Sequence, residues 1–226
     1  NDFYVGDDAD VVIVAGCGIH NGGDQDSRHD GIHRFWLGKN AKVKYVEKHY
    51  GEGDGKGKRI LNPVTEVTMD ENSYMEMEMV QIKGVDSTQR MTKADLAAGA
   101  KLIIRESLLT EGDQTARTDF EVSLDGEDSG VNLISRSVAK GSSRQSYRSC
   151  IRGNNRCTGH SECDAILVDG GTVSAAPELF AGHVDAALIH EAAIGKIAGE
   201  QILKLRTLGL TEEDAEEKII QGFLRG

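Results

Sequence analysis

The sequence predicts a mainly β protein with an α-helical region at its C-terminus. The pattern fits a parallel β-helix, and a β-sandwich is the alternative. Short apolar segments with strand-like patterns recur through the first 184 residues, whereas helical periodicity is confined to the tail. The chain contains 27 glycines and only two prolines in 226 residues. Because glycine favours tight turns and proline interrupts strands, we expect many turns and few interrupted strands. Many short strands of this kind fit coils that stack on one another.

The predicted strands either alternate or are continuously apolar, as expected for strands that bury one or two faces. Met75, Met77 and Met79 alternate with Glu76 and Glu78, so one face of that segment is apolar and the other is solvated. Residues 17–32 are rich in Gly, Asp and His and are predicted to form a loop. The predicted strands lie within 11–14, 41–45, 74–82, 102–104, 120–124, 131–134 and 165–168.

Turn residues precede four of these strands at similar intervals. Asn40, Asn72, Gly99 and Gly130 are separated by 32, 27 and 31 residues. A fixed period would be decisive for a solenoid such as a β-helix, whereas this uneven one only suggests it and leaves the β-sandwich open.

The tail differs in pattern from the rest of the chain. From about Asp185 the apolar residues Ile194, Ala198, Ile202 and Leu205 fall at helical spacing. We therefore divide the chain into a β-helix core, residues 1–184, and a C-terminal helical region, residues 185–226.

A second tail helix is predicted after a break. Gly209 is a plausible C-terminal cap for the first helix, and Thr211 begins a capping-box-like sequence followed by acidic residues. Both helices are amphipathic and need a surface to pack on. They either cap the end of the β structure or dock a partner protein, and these roles are compatible. The apolar stripe of the second helix comprises Ala215, Ile219, Ile220, Phe223 and Leu224.

Charge and composition exclude several classes of function. The chain has 26 Lys and Arg against 37 Asp and Glu, a formal charge of −11. Such acidity argues against a general nucleic-acid binder and against binding to an anionic membrane surface. No apolar run approaches the roughly 18–20 residues of a membrane helix. The first residues do not resemble a secretory signal peptide, and the lack of an initial Met indicates a fragment or a trimmed chain.

A first group of possible metal ligands lies near the N-terminus. Cys17, His20, His29 and His33 follow the spacing C-x2-H-x8-H-x3-H, and such donors bind zinc or iron. A loop that is rich in His by chance is the alternative. If these residues do bind a metal ion, a metal-dependent β-helix enzyme is a further alternative function.

The remaining cysteines carry little information from spacing alone. Cys150, Cys157 and Cys163 match no zinc-finger or ferredoxin pattern, and thiols rather than disulfides are the default without a secretory signal. Cys163 shares a strand face with Ala165 and Leu167, so the pattern by itself favours a buried, inert thiol.

Other sequence features argue against catalysis by this chain. His190 and Glu191 begin the predicted first helix. Their side chains would point about 100° apart, so we do not expect the two residues to bind the same ion, although either one alone could be a ligand. The sequence contains no G-x-S-x-G, P-loop or H-E-x-x-H motif. We therefore expect a protein that is not an enzyme, and any ATP site must come from another chain.

Several motifs resemble the SufB/SufD family of iron–sulfur cluster assembly proteins. Residues 189–197 are similar to the family's H-E-A-T-x-S-K-I stretch, and the similarity continues through 199–201, 206–215 and 220–223. Upstream, residues 141–148 resemble G-K-S-R-N-x-Y-R-G. Residues 155–167 resemble N-A-x-N-x-x-Q-C-D-S-L-L and place Cys163 on the family cysteine. Tyr45-Val46-Glu47 resembles the Y-x-E of an earlier coil. The resemblance is strong over residues 140–226 and thinner before them.

The resemblance implies a right-handed β-helix followed by helices, acting as a cytoplasmic scaffold for a transient iron–sulfur cluster. The C-terminal helices would dock a SufC-type ABC ATPase, and recipient apoproteins would take the finished cluster. The chain is similar to compact archaeal or anaerobe-type SufB-like proteins, for which a homodimer joined through the β-helix is expected. A SufD-like structural subunit that binds the ATPase without a cluster is the alternative.

The resemblance also implies site residues. Cys163 matches the family cysteine proposed as a cluster ligand, and Glu191 with its neighbour His190 matches the H-E pair implicated in cluster formation. Thiolate with carboxylate or imidazole makes a labile ligand set, as a scaffold requires, and two protomers would double it.

One position departs from the family pattern. SufB has Gly-Cys after its Y-x-E, where this chain has Lys48 and His49, so the thiol thought to receive sulfur is missing. Either sulfur enters by another route, or the chain is a SufD-like subunit, or His49 has another role, for which we predict a metal ligand. Cys17 is a second metal candidate and a possible substitute for that thiol, and inorganic sulfide is another route for sulfur.

Overall fold

The strands form two parallel sheets that wind as a solenoid of about seven turns, followed by two α-helices. The computed structural model describes residues 1–82 and 84–225. The sheet that begins with residues 2–5 is called sheet 1, and the sheet that begins with residues 10–20 is called sheet 2. The predicted parallel β-helix is thus confirmed over the β-sandwich.

Each coil contributes one long strand to sheet 2, where it pairs in parallel with the strands of the adjacent coils. The strands are β1 (Asp2–Val5), β2 (Asp10–His20), β3 (Ser27–His29), β4 (Ile32–Leu37), β5 (Lys42–Glu52), β6 (Arg59–Leu61), β7 (Val64–Met69), β8 (Tyr74–Gln81), β9 (Ser87–Leu96), β10 (Lys101–Thr110), β11 (Thr115–Leu124), β12 (Ser129–Ala139), β13 (Arg144–Gly153), β14 (Cys157–Leu167), β15 (Thr172–Ala181) and β16 (Ala186–Gly195). Sheet 1 has the path β1-β4-β7-β9-β11-β13-β15, with the short strands β3 and β6 beside it, and sheet 2 has the order β2-β5-β8-β10-β12-β14-β16.

A column of left-handed residues turns the chain from sheet 1 into sheet 2. Asn40, Asn72 and Gly99 have φ of 56°, 57° and 69°, and Asp8 and Asp128 share this conformation. Asn, Asp and Gly adopt it most readily, which explains why these residue types recur at one corner. Three of the four predicted turn residues are therefore correctly placed. Gly130 lies inside β12, and Asp128 takes the corner position.

The core lies between the inward faces of the two sheets. Met75, Met77 and Met79 have no exposed surface, whereas Glu76 and Glu78 point outward, as the alternation predicts. Phe35, Phe120 and other apolar side chains from sheet 1 complete this core. Burial of such side chains supplies the main stabilisation of the solenoid.

Two predictions of local structure were wrong. The segment 17–32 is not all loop, because β2 extends to His20 and β3 follows at Ser27–His29. The helical pattern from Asp185 does not form a helix there, because residues 186–195 pair in parallel with β14 as strand β16. Tertiary pairing thus overrides the local spacing of apolar residues. The division at residue 184 stays a prediction, but the helical elements begin at Gly199.

Helix α1 (Gly199–Thr207) is mostly exposed, whereas α2 (Glu212–Arg225) packs on the outer face of sheet 2. Gly209 follows α1 with φ of 95°, and Thr211 Oγ1 accepts a hydrogen bond from the Asp214 amide at 3.1 Å, so both predicted caps are confirmed. Ile220 of α2 contacts Val138 and Val168, which fixes the helix to the solenoid. Among the described helices, none combines the length and apolar character needed to cross a membrane.

Candidate functional site

One inward-facing column of sheet 2 runs through the solenoid and carries most of the candidate residues. Parallel register aligns, from the first coil to the last, Ala15, Glu47, Met79, Glu106, Ser135, Cys163 and Ala192. Side chains at equivalent positions of stacked strands point to the same face. Polar groups on this column therefore meet inside the solenoid, although they are far apart in sequence.

The N-terminal part of this interior centres on Glu47. Tyr45 donates a hydrogen bond to Glu47 Oε1 at 3.0 Å, and His33 Nδ1 lies 2.7 Å from the Tyr45 oxygen and 3.3 Å from Glu47 Oε1. Burial alone would raise the pKa of Glu47, but contacts with His33 and His49 and the charge of Arg90 outweigh it and hold the pKa below its ordinary value. Glu47 is therefore a buried carboxylate.

The orientation of the His49 ring is fixed by a hydrogen bond from Arg90, a residue of sheet 1. Arg90 donates a hydrogen bond to His49 Nδ1 at 2.8 Å. Because Nδ1 accepts, the proton of the neutral ring lies on Nε2, 3.2 Å from Glu47 Oε1. Burial, and then the charge of Arg90, lower the pKa of His49 despite the contact with Glu47, which keeps the ring neutral. His49 thus has no free electron pair for a metal ion, which argues against its predicted role as a ligand.

Glu106 continues the network toward the C-terminal coils. Arg90 donates a second hydrogen bond to Glu106 Oε1 at 2.8 Å, and both side chains are almost fully buried. Thr118 also donates to Oε1, and Ser135 donates to Oε2 at 2.8 Å. Both oxygens of Glu106 therefore have hydrogen-bond partners, which is what makes a buried carboxylate tolerable, whereas Arg90 Nε is buried without one.

Cys163 is the next residue along the column after Ser135. Its side chain is 1% exposed, and burial, followed by the charges of Glu106 and Asp164, raises its thiol pKa to about 12. The neighbouring interior position holds Ser161, whose hydroxyl lies 3.0 Å from the hydroxyl of Tyr147. In the isolated chain Cys163 is therefore a protonated, shielded thiol.

His190 and Glu191 lie on β16, the last strand, and face opposite sides of it. His190 aligns with the interior residue Ser161, and its Nδ1 is 3.1 Å from the Ser161 carbonyl oxygen. That contact places the proton on Nδ1 and leaves Nε2 as an electron-pair donor. Glu191 aligns with Glu162 on the outer face and its side chain is 67% exposed, 3.9 Å from His160.

Within one chain the structure therefore brings Cys163 and His190 onto one face but leaves Glu191 on the other. The expectation that His190 and Glu191 start a helix was wrong, because β16 pairs with β14. On a strand, as on a helix, adjacent side chains diverge, so the conclusion that the two residues do not share one ion within a chain is unchanged.

The N-terminal group of Cys17, His20, His29 and His33 is not assembled as a set. His20 and His29 are exposed, whereas His33 is buried and Cys17 is half-buried. Cys17 and His33 instead approach Glu47, and the three donor atoms lie within 4.8 Å of one another. Burial and then the charge of Glu47 raise the pKa of the Cys17 thiol.

Sequence reasoning missed Arg90 and Glu106, the ion pair at the centre of the interior. Both lie on strands whose patterns gave no indication of function. The alternation of β9 and β10 does place them on the inward faces, and a charged residue on such a face was the signal that could have identified them.

Comparison with known proteins defines the family. A family model described as "SUF system FeS cluster assembly, SufBD core domain" matches residues 3–223. Each of the relatives named next is described as an "Iron-sulfur cluster assembly SufBD family protein". One from Archaeoglobus fulgidus is 28% identical over 217 residues, covering 96% of this chain and 57% of the relative.

Two further archaeal relatives show similar likeness. One from Methanothermobacter thermautotrophicus (strain Delta H) is 29% identical, covering 96% of this chain and 53% of the relative. One from Methanocaldococcus jannaschii is 27% identical over 96% of this chain and 68% of the relative. The chain spans little more than half the length of the first two. Since the family model covers nearly all of it, the chain belongs to the SufBD family of iron–sulfur cluster assembly proteins.

Proposed function

We propose that this chain is a scaffold on which an iron–sulfur cluster is built at a subunit interface, with Cys163 as a ligand. The supporting observation is that Cys163 on β14 lies in register with Ala192 on the adjacent strand β16, and Ala192 is a small and exposed residue of the last coil. Only this coil separates the thiol from the C-terminal end of the solenoid. A small shift of β16 would therefore expose a soft sulfur donor without unfolding the core.

His190 and Glu191 are the proposed companions of Cys163. His190 shares the inward face, and its Nε2 electron pair is available for iron. Glu191 projects from the outer face of the same strand, where it could reach the cluster only from the rim or from a second chain. Imidazole and carboxylate bind iron less tightly than thiolate, which favours release of the cluster to a recipient apoprotein.

We further propose a homodimer joined at the last coil. β16 is an edge strand of sheet 2 and exposes Ile189 and Ile194, which are 56% and 41% exposed. An unpaired edge with apolar residues is a favourable surface for a second strand. A symmetric pair of chains would then contribute two Cys163 thiols and two sets of oxygen and nitrogen donors to one site.

A SufC-type ABC ATPase is the proposed partner of the helices. α1 buries none of its residues, and Leu203 and Leu208 at its surface are 61% and 72% exposed. α1 joins β16 to α2, so movement imposed on it by a partner would pull on the strand above Cys163. The partner would supply ATP hydrolysis, and this chain would not itself be an enzyme. We place the assembly in the cytoplasm, since all four cysteines are free thiols.

Anaerobic reconstitution of the whole chain with ferrous iron and sulfide tests the proposal. We expect an oxygen-sensitive chromophore, with iron and sulfide bound stoichiometrically per dimer. Absence of acid-labile sulfide, both for the chain alone and for its complex with the ATPase, would contradict the scaffold function.

A SufD-like structural subunit is the second candidate. The observation in its favour is His49, which stands where the resemblance to SufB would place the thiol thought to receive sulfur, and which is held by Arg90. Such a subunit would bind the ATPase but no cluster. The same reconstitution separates the two candidates, because only the scaffold retains sulfide while both retain the ATPase.

A further inference from the structure

A second group of metal-ligating side chains lies at the N-terminal end of the interior, four coils away from Cys163. One donor atom each from Cys17 on β2, His33 on β4 and Glu47 on β5 fall within 4.8 Å of one another. We infer that these three residues bind one divalent transition-metal ion of the zinc and ferrous class, at a site separate from the proposed cluster site. The inference does not depend on the proposed function.

The first supporting observation is an unpaired oxygen of Glu47. The side chain has no exposed surface, and its Oε1 takes all the contacts from Tyr45, His33 and His49. Oε2 is buried without a hydrogen-bond partner. A carboxylate oxygen left unpaired inside a protein is costly, and a bound cation would satisfy it.

The second observation is the charge of the buried network. Glu47 and Glu106 contribute two carboxylates, whereas Arg90 contributes one guanidinium and bonds Glu106 directly. Glu47 receives only the more distant part of that positive charge, because His49 stands between it and Arg90. A cation beside Glu47 would neutralise the remaining negative charge.

Hydrogen bonds around the site determine which groups can be ligands. Tyr45 has one proton and donates it to Glu47, so its oxygen accepts from His33 Nδ1. With its proton on Nδ1, the His33 ring keeps the electron pair of Nε2 for a metal ion. His49 does not, because Arg90 occupies its Nδ1. The ligand set is therefore Cys17, His33 and Glu47, with one position left for water.

The donor types select the class of ion. Sulfur, imidazole nitrogen and carboxylate oxygen together suit zinc and ferrous ions, whereas calcium and magnesium prefer oxygen alone. Tetrahedral coordination would bring the donor atoms to about 3.5 Å from one another, given metal–ligand distances of about 2.0–2.3 Å. Cys17 is half-buried on β2, the first strand of sheet 2, so its side chain can make this adjustment and the ion can enter there.

Cobalt substitution provides the direct test. The whole chain, stripped with a chelator and kept reduced without oxygen, is titrated with Co²⁺. We expect one equivalent to produce the visible bands of tetrahedral cobalt together with a thiolate-to-cobalt charge-transfer band. Zn²⁺ should then displace the cobalt and abolish these bands, and Fe²⁺ should compete with it. No such spectrum with the wild-type chain would overturn the inference.

Variants assign the site. Cys17→Ser should abolish the charge-transfer band and weaken Co²⁺ binding by more than about 100-fold, the upper range for loss of an outer-shell contact. His33→Gln should weaken binding to a similar extent, and circular dichroism would show that both variants are folded. Tyr45→Phe, which removes the group that orients His33 and Glu47, should weaken binding by about 10–100-fold.

Two controls separate this site from others. Cys163→Ser should leave the cobalt spectrum unchanged, because that thiol belongs to the C-terminal coils. His29→Gln, at an exposed position near the site in sequence, should also have no effect. Retention of the charge-transfer band in Cys17→Ser, or its loss in Cys163→Ser, would show that the metal binds elsewhere and would overturn the assignment.

Discussion

Arg90 donates a hydrogen bond to Nδ1 of His49 across the interior of the solenoid, at 2.8 Å. The contact joins β9 of sheet 1 to β5 of sheet 2. It occurs at His49, the position where the resemblance to SufB would place a cysteine. The histidine is therefore part of a buried network that links the N-terminal interior to Glu106 and the column leading to Cys163.

Arg90 is predicted to be the most sensitive polar residue of the core. Arg90→Met leaves Glu106 as an uncompensated buried carboxylate and removes the partner of His49, so we expect a loss of about 3–5 kcal/mol in unfolding free energy. Equilibrium urea unfolding measures it. Arg105→Met is the matched control, because its ion pair with Glu76 is solvent-exposed and contributes about 0–1 kcal/mol. Equal effects of the two substitutions would contradict this account.

Two substitutions of His49 separate the contribution of its hydrogen bonds from that of its volume. His49→Gln keeps an acceptor for Arg90 and a donor toward Glu47, whereas His49→Leu keeps only the volume. We expect His49→Leu to be less stable than His49→Gln by about 1–3 kcal/mol, because it leaves the Arg90 donor unpaired. Urea midpoints of the two variants provide the comparison. A His49→Leu chain as stable as His49→Gln would show that the contact with Arg90 is unimportant.

A pH-dependent contribution to stability is expected from Asp86. Arg59 donates to both of its carboxylate oxygens, at 2.8 and 3.0 Å. Partial burial raises the pKa of Asp86, but the contacts with Arg59 outweigh it and lower the pKa below its ordinary value. Because the folded pKa is lowered, the stabilisation is present above the unfolded pKa of about 3.9 and is lost as pH falls through the folded value.

Asp86→Asn should therefore reduce the unfolding free energy by about 1–2 kcal/mol at pH 7, and the difference from the wild type should shrink toward zero in strong acid. Unfolding curves collected from pH 7 downward measure the difference. A gap that stays constant with pH would show that ionisation of Asp86 is not its origin.

The docking role of α1 predicts a loss of partner binding without a loss of stability. Leu203→Asp replaces a side chain that is 61% exposed, so stability should change by less than about 0.5 kcal/mol. Co-purification with a co-expressed SufC-type ATPase should nevertheless fall sharply. Val12→Asp is the control, since Val12 is 66% exposed on β2, at the opposite end of the solenoid. Equal retention of the ATPase by both variants would contradict docking on α1.

The sequence predicted sheet 2 better than sheet 1, for a physical reason. Strands such as β8 alternate Met with Glu and have a clear apolar face. β13, Arg144–Gly153, buries Gln145, Tyr147 and Ser149 instead, so its inward face is not recognisable by hydrophobicity. Strands that bury polar residues are identified only through the register of their neighbours.

The candidate site was only partly predictable for a similar reason. Cys163 and His190 were identified through a family resemblance, but their common face depends on the pairing of β14 with β16, which local helical spacing obscured. The grouping of Cys17 and His33 with Glu47 requires three strands from two coils to be in register. Contacts of this kind arise from stacking and are not encoded in any short segment.

Cys163 is the residue on which the proposed scaffold function depends most directly. The decisive measurement is the iron and acid-labile sulfide retained after anaerobic reconstitution of Cys163→Ser, compared with Cys157→Ser. Cys157 lies on the same strand, is also buried and faces the same interior, so the pair differs mainly in position along β14. We predict that Cys157→Ser retains the cluster and that Cys163→Ser loses it. Equal cluster content in the two variants would contradict the account.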